Sequence, residues 1–409
     1  MSVYEAIEAF AAEQGWVVKY SSDGTPNFFY PIYKCKSSDL DPSLPDHTHP
    51  AFIVNGAEID RRLIAVYKGS SIVSGGAIHS LPMMAPAVSA GADALLSRIK
   101  QTGAGFGPKT VADSGLLLLL ARKNDWVPHG NNAWSCDYRD VAAWDINANM
   151  TVGTKRGYHG YIWECISAHT SALENRPDIS PKLWKRGKRV GGVPVASQIG
   201  SATSDEKYRG YNTLTGSGPA SWRLDGTPSG IDDLNGNCYD QDYGYRIVDN
   251  ELQILENNNA ADPTADLSAS SSAWRAILPN QGNNGFTLVT PGTSGTLHWN
   301  FLNNKITLDT VGADISGGIG QKGTLFKDLA VNTSNVPYVP YILQELGIFP
   351  ISGDDTQGNT YHDFNGGERF PRRGGNYNNT SSAGLGCVAS SNARGYSAVG
   401  FGVRSAYLE

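Results

Sequence analysis

Few side chains in this 409-residue chain stand at spacings that could do chemistry. His47 and His49 in "PDHTHP" would point both imidazoles to one side of an extended segment. A structural zinc takes about four ligands, and no third is spaced beside them. Asp232, Asp233, Asn235 and Asn237 in "GIDDLNGNC" offer oxygens to a hard cation, but the segment is not an EF-hand loop. It reads more simply as a turn whose side chains hold neighbouring backbone. The five cysteines, Cys35, Cys136, Cys165, Cys238 and Cys387, are odd in number, scattered and without a C-x-x-C pair, which predicts reduced and mostly buried thiols. No glycine-rich phosphate loop, G-x-S-x-G elbow or H-E-x-x-H motif occurs. The expectation is a protein without catalytic residues, metal or cofactor.

What remains is the chemistry of recognition. Residues 368–409, "ERFPRRGGNYNNTSSAGLGCVASSNARGYSAVGFGVRSAYLE", contain none of the nine tryptophans. They set Asn, Ser, Gly, Ala and Tyr inside a punctuated frame of Arg and Gly. Tyrosine supplies rigid contact area at low entropic cost, and Ser, Asn and Gly adapt their hydrogen bonding, the division of labour found in antibody paratopes.

Such a surface needs a rigid support. With 40% apolar residues, only 18% charged and 47 glycines, the chain can bury a sizeable core built from short strands and tight turns. A net charge of −6 gives no basic footprint for nucleic acid. The longest aliphatic run, "GLLLLLA" at 115–121, is too short to span a bilayer. The start, "MSVYEAIEAFAAEQGWVVKY", lacks a basic lead and an apolar core, so no signal peptide is expected and the protein is expected to be made in a cytoplasm.

Residues 2–14 fit an amphipathic helix with Val3, Ile7 and Phe10 on one face. Together with the proline-containing passage that follows, residues 1–50 are expected to be a docking or oligomerisation segment outside the main domain. From 51 the pattern becomes two strands around an Asn55-Gly56 turn. Helices are predicted at 88–102, where Ala92, Leu95, Leu96 and Ile99 share a face, and at 110–124, capped by Thr110 or Asp113 and buried all round. Strands "GYRIV" and "ELQIL" flank an Asp249-Asn250 turn, and residues 256–335 read as a long polar excursion. A small aromatic unit at about 141–205 interrupts the domain and ends in a basic run.

Two resemblances are carried by these residues. The spacing of Tyr158, Tyr161, "WEC", "AHTS" and Trp184 loosely resembles small carbohydrate-binding modules of the chitin-binding type, which implies Tyr161, Trp163 and Trp184 as candidate sugar-stacking rings. The blocks "PSGIDDLNGNCYD", "RRGGNYNN" and "GFGVRSA", with the hairpin and helix pair before them, resemble the C-type lectin-like fold of the formylglycine-generating-enzyme kind over 51–409. That implies an α+β fold with short strands, two helices, long loops and inserts. The enzymes of that family use a cysteine pair near the C-terminus to bind copper, and only Cys387 lies in that region here, so oxidase activity is not expected.

The terminal tract is similar to that of variable proteins of diversity-generating retroelements, in which error-prone copying of adenines scatters chosen codons inside a fixed frame. The resemblance implies a variable region at about 372–404. Its ligand-binding positions would be Tyr377, Asn379, Thr380, Ser382, Gly386, Cys387, Ala389, Ser391, Tyr396, Ala398 and Val399. Arg373, Gly374, Gly375, Ala383, Gly384, Arg394, Gly402 and Arg404 would be frame. It further implies a receptor-binding adhesin at a phage tail-fibre tip or on a bacterial surface. The partner would be a protein or glycan receptor on a target cell, with a tail-fibre or self-association contact through the N-terminus and neither nucleic acid nor membrane insertion. A non-diversified carbohydrate-binding tail protein is the alternative.

Overall fold

Thr110 opens the central helix, Val111–Lys123. In the computed structural model, which describes residues 2–200, 208–353 and 356–409, the Thr110 hydroxyl accepts the Asp113 N–H and the Asp113 carboxylate accepts the Thr110 N–H. This reciprocal cap satisfies two donors that a helix start otherwise leaves open. Leu116, Leu117, Leu118 and Leu119 are all buried, so the helix has no solvent face before its last turn and packs against the helix Tyr341–Glu345 and the strand Gly384–Ser390. The packing is close. A Cβ on Gly115 would stand 1.9 Å from the Glu345 carbonyl oxygen.

The architecture is α+β and sheet-rich, with 16% of residues helical and 29% in strands. Helices at Val3–Glu13 and Ala92–Lys100 and hairpin turns at Asn55-Gly56 and Asp249-Asn250 form where local signals place them. Both Asp249 and Asn250 adopt positive φ, 47° and 71°, which suits the twist of a tight hairpin.

Two expectations about organisation are corrected. Residues 26–33 are not a linker before a domain that starts at 51. The strand Pro26–Tyr33 pairs with Arg61–Ala65 from Phe29↔Ala65 to Tyr33↔Arg61, and Phe28, Phe29 and Ile32 are buried. The sheet runs Val17–Tyr20, Pro26–Tyr33, Arg61–Ala65, Ser405–Tyr407, Phe106–Pro108, so the chain's last strand is inserted between two from its first 108 residues. Likewise 256–335 is not an irregular excursion. It supplies Arg275–Pro279, Phe286–Val289, His298–Leu302, Lys305–Asp309 and Ala330–Val331 to an eight-stranded sheet, with Ile277, Trp299, Ile306 and Leu308 turned into the main core. Its Gly, Asn and Ser belong to the turns, such as Asn303-Asn304 at φ 51° and 61°.

The aromatic insert builds its own sheet from Lys155–Tyr158, Tyr161–Cys165 and Trp184–Arg189, over a core of Trp144, Met150, Tyr158, Cys165 and Trp184. Its residues 201–205 lie outside the described residues. Among the described residues no helix is long and apolar enough to cross a membrane. All five cysteines are free thiols; four are buried and Cys35 is half-buried.

Candidate ligand-binding surface

Successive side chains of a strand point to opposite faces, and Arg372 and Arg373 are neighbours in the strand Arg372–Gly374. Arg373 turns inward. Its Nε donates to Asp242 at 2.7 Å, and its two terminal nitrogens donate to the carbonyls of Gly347 and Leu346 at 2.6 and 2.9 Å. Arg372 turns to the other face, where it reaches the Asn392 side chain at 3.3 Å and the carbonyls of Ala393 and Tyr396 at 3.4 Å. One dipeptide thus ties the tract to the core and orders the tract's own loop. Burial pushes Arg372 down to about 10, which leaves it charged at neutral pH.

The six-stranded sheet that carries the tract runs Gln321–Leu325, Asn359–Asp363, Gly384–Ser390, Arg372–Gly374, Tyr239–Gln241, Phe401–Gly402. Gly384–Ser390 lies inside it, and all seven of its residues are buried. The tract therefore divides into a buried strand and two loops, 375–383 and 391–400. This corrects the placement of Gly386, Cys387 and Ala389 on a binding face. Cys387 is fully buried, and a Cβ on Gly386 would stand 2.8 Å from the Phe326 ring. Burial also pushes the Cys387 thiol up to about 12, so it is protonated and inert at neutral pH.

Tyr377 is corrected as well. Only 8% exposed, it packs against the rings of Tyr211 and Trp134 at 5.0 and 6.4 Å, and its carbonyl accepts the Trp134 N–H. It anchors the first loop rather than displaying itself. Thr380 is exposed and Asn379 and Ser382 half-buried on that loop; on the second, Tyr396 is 48% exposed and Ser391, Ala398 and Val399 are half-buried. The loops meet where a Cβ on Gly400 would touch the Asn376 side chain at 2.7 Å.

The frame residues are held from below. Arg394 grips Glu368 with two nitrogens at 2.9 and 3.0 Å and donates to Asp93 and the Leu267 carbonyl. The fully buried Arg404 donates to Asp240 and to the carbonyls of Ala65, Val66 and Asp232. Lys68 shares Asp240 at 3.0 Å; against its burial, Lys68 and Arg404 hold that carboxyl down at about 2. Gly384, at φ 137°, passes so near Gln357 that a Cβ would lie 2.2 Å from its carbonyl oxygen.

Sequence reasoning missed the aromatic floor under these loops. Phe401 lies 5.3 Å from Tyr396 and 5.5 Å from Tyr239, with the Arg372 guanidinium 4.3 Å from its centroid. Tyr361 packs beside this cluster. Trp134 and Tyr211, which brace Tyr377, sit more than a hundred residues upstream, where no local pattern points to the tract. The alternation of side chains could have separated Arg372 from Arg373. The surface sets polar loop tips over a floor of packed rings.

The other candidate groups are structural. The Asn235 and Asn237 side chains donate to the carbonyls of Pro128 and Thr213. His47 and His49 both turn to Glu345, one to its carboxylate at 2.7 Å and one to its carbonyl at 3.1 Å. Trp184 is 2% exposed inside the insert's core, with its indole N–H on the Asn175 carbonyl, which corrects its placement among sugar-stacking rings. Tyr161 and Trp163 remain half-exposed.

A buried histidine beside the tract gives a pH prediction. His362, in the strand next to Gly384–Ser390, bonds Asn250 and Ser390, and burial pushes it down from 6.5 to about 3. The unfolded chain binds the extra proton between those values, so the stability this group contributes is present above 6.5 and is lost as the pH falls toward 3. From about pH 7 to about pH 5 His362 alone is expected to cost about 2 kcal/mol. Urea midpoints across that range should show a shallower slope in His362→Gln; an unchanged slope would remove the assignment.

Compared with known proteins, the chain matches no family model and no curated sequence.

Proposed function

We propose that the protein recognises a ligand through its terminal tract and performs no catalysis. In this reading it is a variable protein diversified by a retroelement, on a C-type lectin-like scaffold of the formylglycine-generating-enzyme kind. It serves as a receptor-binding adhesin of a phage tail fibre or a bacterial surface, with a protein or glycan receptor as its target. One observation carries the reading: the exposed positions of the tract sit on two adjoining loops, while Arg373, Arg394, Arg404 and Gly384 beneath them are buried. Side chains can change on such loops at little cost in folding, and a changed loop changes the partner.

The test is deep sequencing of the 3′ end of the gene in a growing population. Substitutions are expected at adenine-containing codons and concentrated at Asn379, Thr380, Ser382, Ser391, Tyr396, Ala398 and Val399, with the Arg and Gly frame intact. A low, uniform substitution rate would remove the retroelement.

A further inference from the structure

We propose that the three-stranded sheet of the insert is a second binding site, for an anionic polysaccharide whose sugars carry carboxylate groups. The proposal is independent of the terminal tract. It starts from charge. Eight of the chain's 33 Lys and Arg but only three of its 39 Asp and Glu lie between residues 155 and 189, in a protein of net charge −6. Elsewhere arginines are spent inside the fold, as Arg62 is on Asp113, Arg373 on Asp242 and Arg404 on Asp240. Among the described residues, none of Lys155, Arg156, Lys185, Arg186, Lys188 and Arg189 forms an ion pair. Glu164 stands opposite both Lys155 and Lys185 in the register, whereas Arg156 and Arg186 stand opposite Trp163 and Arg189 opposite Tyr161, with no facing carboxylate. Like charges set this close repel one another, and an anionic partner relieves that repulsion.

The register arranges them. Arg156 on one outer strand and Arg186 on the other both stand opposite Trp163 on the central strand. Strands lie about 4.8 Å apart, so the two arginines spring from backbone positions about 10 Å from each other on either side of an aromatic. One rung along, Tyr161 holds Arg186 and Arg189 against its ring, at 5.1 and 5.6 Å from the centroid. A ring that fixes a guanidinium lowers the entropy lost when its planar fork takes a carboxylate by two parallel hydrogen bonds. The Arg186–Lys188 stretch is exposed throughout, so a long polymer can lie along the edge strand without a pocket.

Single-stranded nucleic acid is the competing polyanion, and the geometry argues against it. Nucleic-acid platforms stack bases on free aromatic faces. Here the Tyr161 ring is already engaged by two guanidiniums, and the Trp163 ring packs against the insert's own core. A uronate sugar needs only the oriented forks and the rim of the ring.

The test is binding of the full chain to alginate, with dextran as a neutral polymer and oligo-dT as single-stranded DNA, at low and high salt. Alginate is expected to bind in a salt-sensitive manner and dextran not at all. The double variant R156Q/R186Q is expected to weaken alginate binding about tenfold or more, at unchanged melting temperature because both side chains reach solvent. Tyr161→Leu, which keeps every charge but frees the guanidiniums, is expected to weaken it about threefold. Tighter binding of oligo-dT than alginate, no binding of alginate, or alginate binding untouched by R156Q/R186Q would each overturn the proposal.

Discussion

Arg404→Ala is expected to lower the stability of the folded protein by about 3–5 kcal/mol, the range for breaking one side of a buried charge network. The loss has two parts. The carbonyls of Ala65, Val66 and Asp232 lose a donor in a place that water does not reach; Val66 keeps the Asp232 N–H, and any buried acceptor left without a partner costs about 1–3 kcal/mol less whatever relaxation recovers. Asp240 keeps Lys68 but loses its second cation, and its carboxyl is then expected to rise from about 2. Arg404→Lys should recover only part of the loss, since a single ammonium cannot span four acceptors set in different directions. Urea unfolding measures all of this. A shift under about 1 kcal/mol for Arg404→Ala would show that the network is not what ties the tract's end to the core.

Gly115→Ala is expected to destabilise, by about 3 kcal/mol, although the same exchange in an exposed helix interior gains about 1 kcal/mol. The sign reverses because the site has no room. The added carbon would stand 1.9 Å from the Glu345 carbonyl oxygen and 2.7 Å from the Leu346 Cα, both backbone, so no side chain can swing away. The helix Tyr341–Glu345 would have to move. It carries the carboxylate that holds His47 and Ser37 and leads into the carbonyls that hold Arg373. A neutral or stabilised Gly115→Ala in thermal and urea unfolding would mean that these two helices do not pack as described.

What could be read from the sequence followed the range of each signal. Thr110 with Asp113, Asn55-Gly56 and Asp249-Asn250 act over three or four residues, and the helix and hairpins formed where they stood. The strands within 256–335 escaped because their apolar residues alternate for only four or five positions before Asn, Gly or Ser resumes. In the tract, "GLGCVAS" consists of small and apolar residues with no polar alternation. That composition fits a strand buried on both faces as well as a contact loop, so Gly386, Cys387 and Ala389 could not be told apart from Thr380 and Tyr396. The rings that brace the loops, Trp134, Tyr211, Tyr239 and Tyr361, come from distant segments and meet only in the fold.

Under the proposed function, the position of Ser405–Tyr407 bears on what kind of error a diversified gene can tolerate. That strand lies between Arg61–Ala65 and Phe106–Pro108, and it follows the tract in the chain. The early part of the molecule therefore waits, unclosed, until the reading frame has passed through every codon subject to change. A missense codon in a loop leaves the waiting slot fillable. A stop codon or frameshift deletes Arg404 and the missing rung together, and the early sheet keeps two open edges that quality-control proteases and aggregation act on. Closing so distant a contact is slow, which lengthens the time for that inspection. Folding thus acts as a proofreader: it is blind to which side chain the loops display, and strict about whether the message was read to its end.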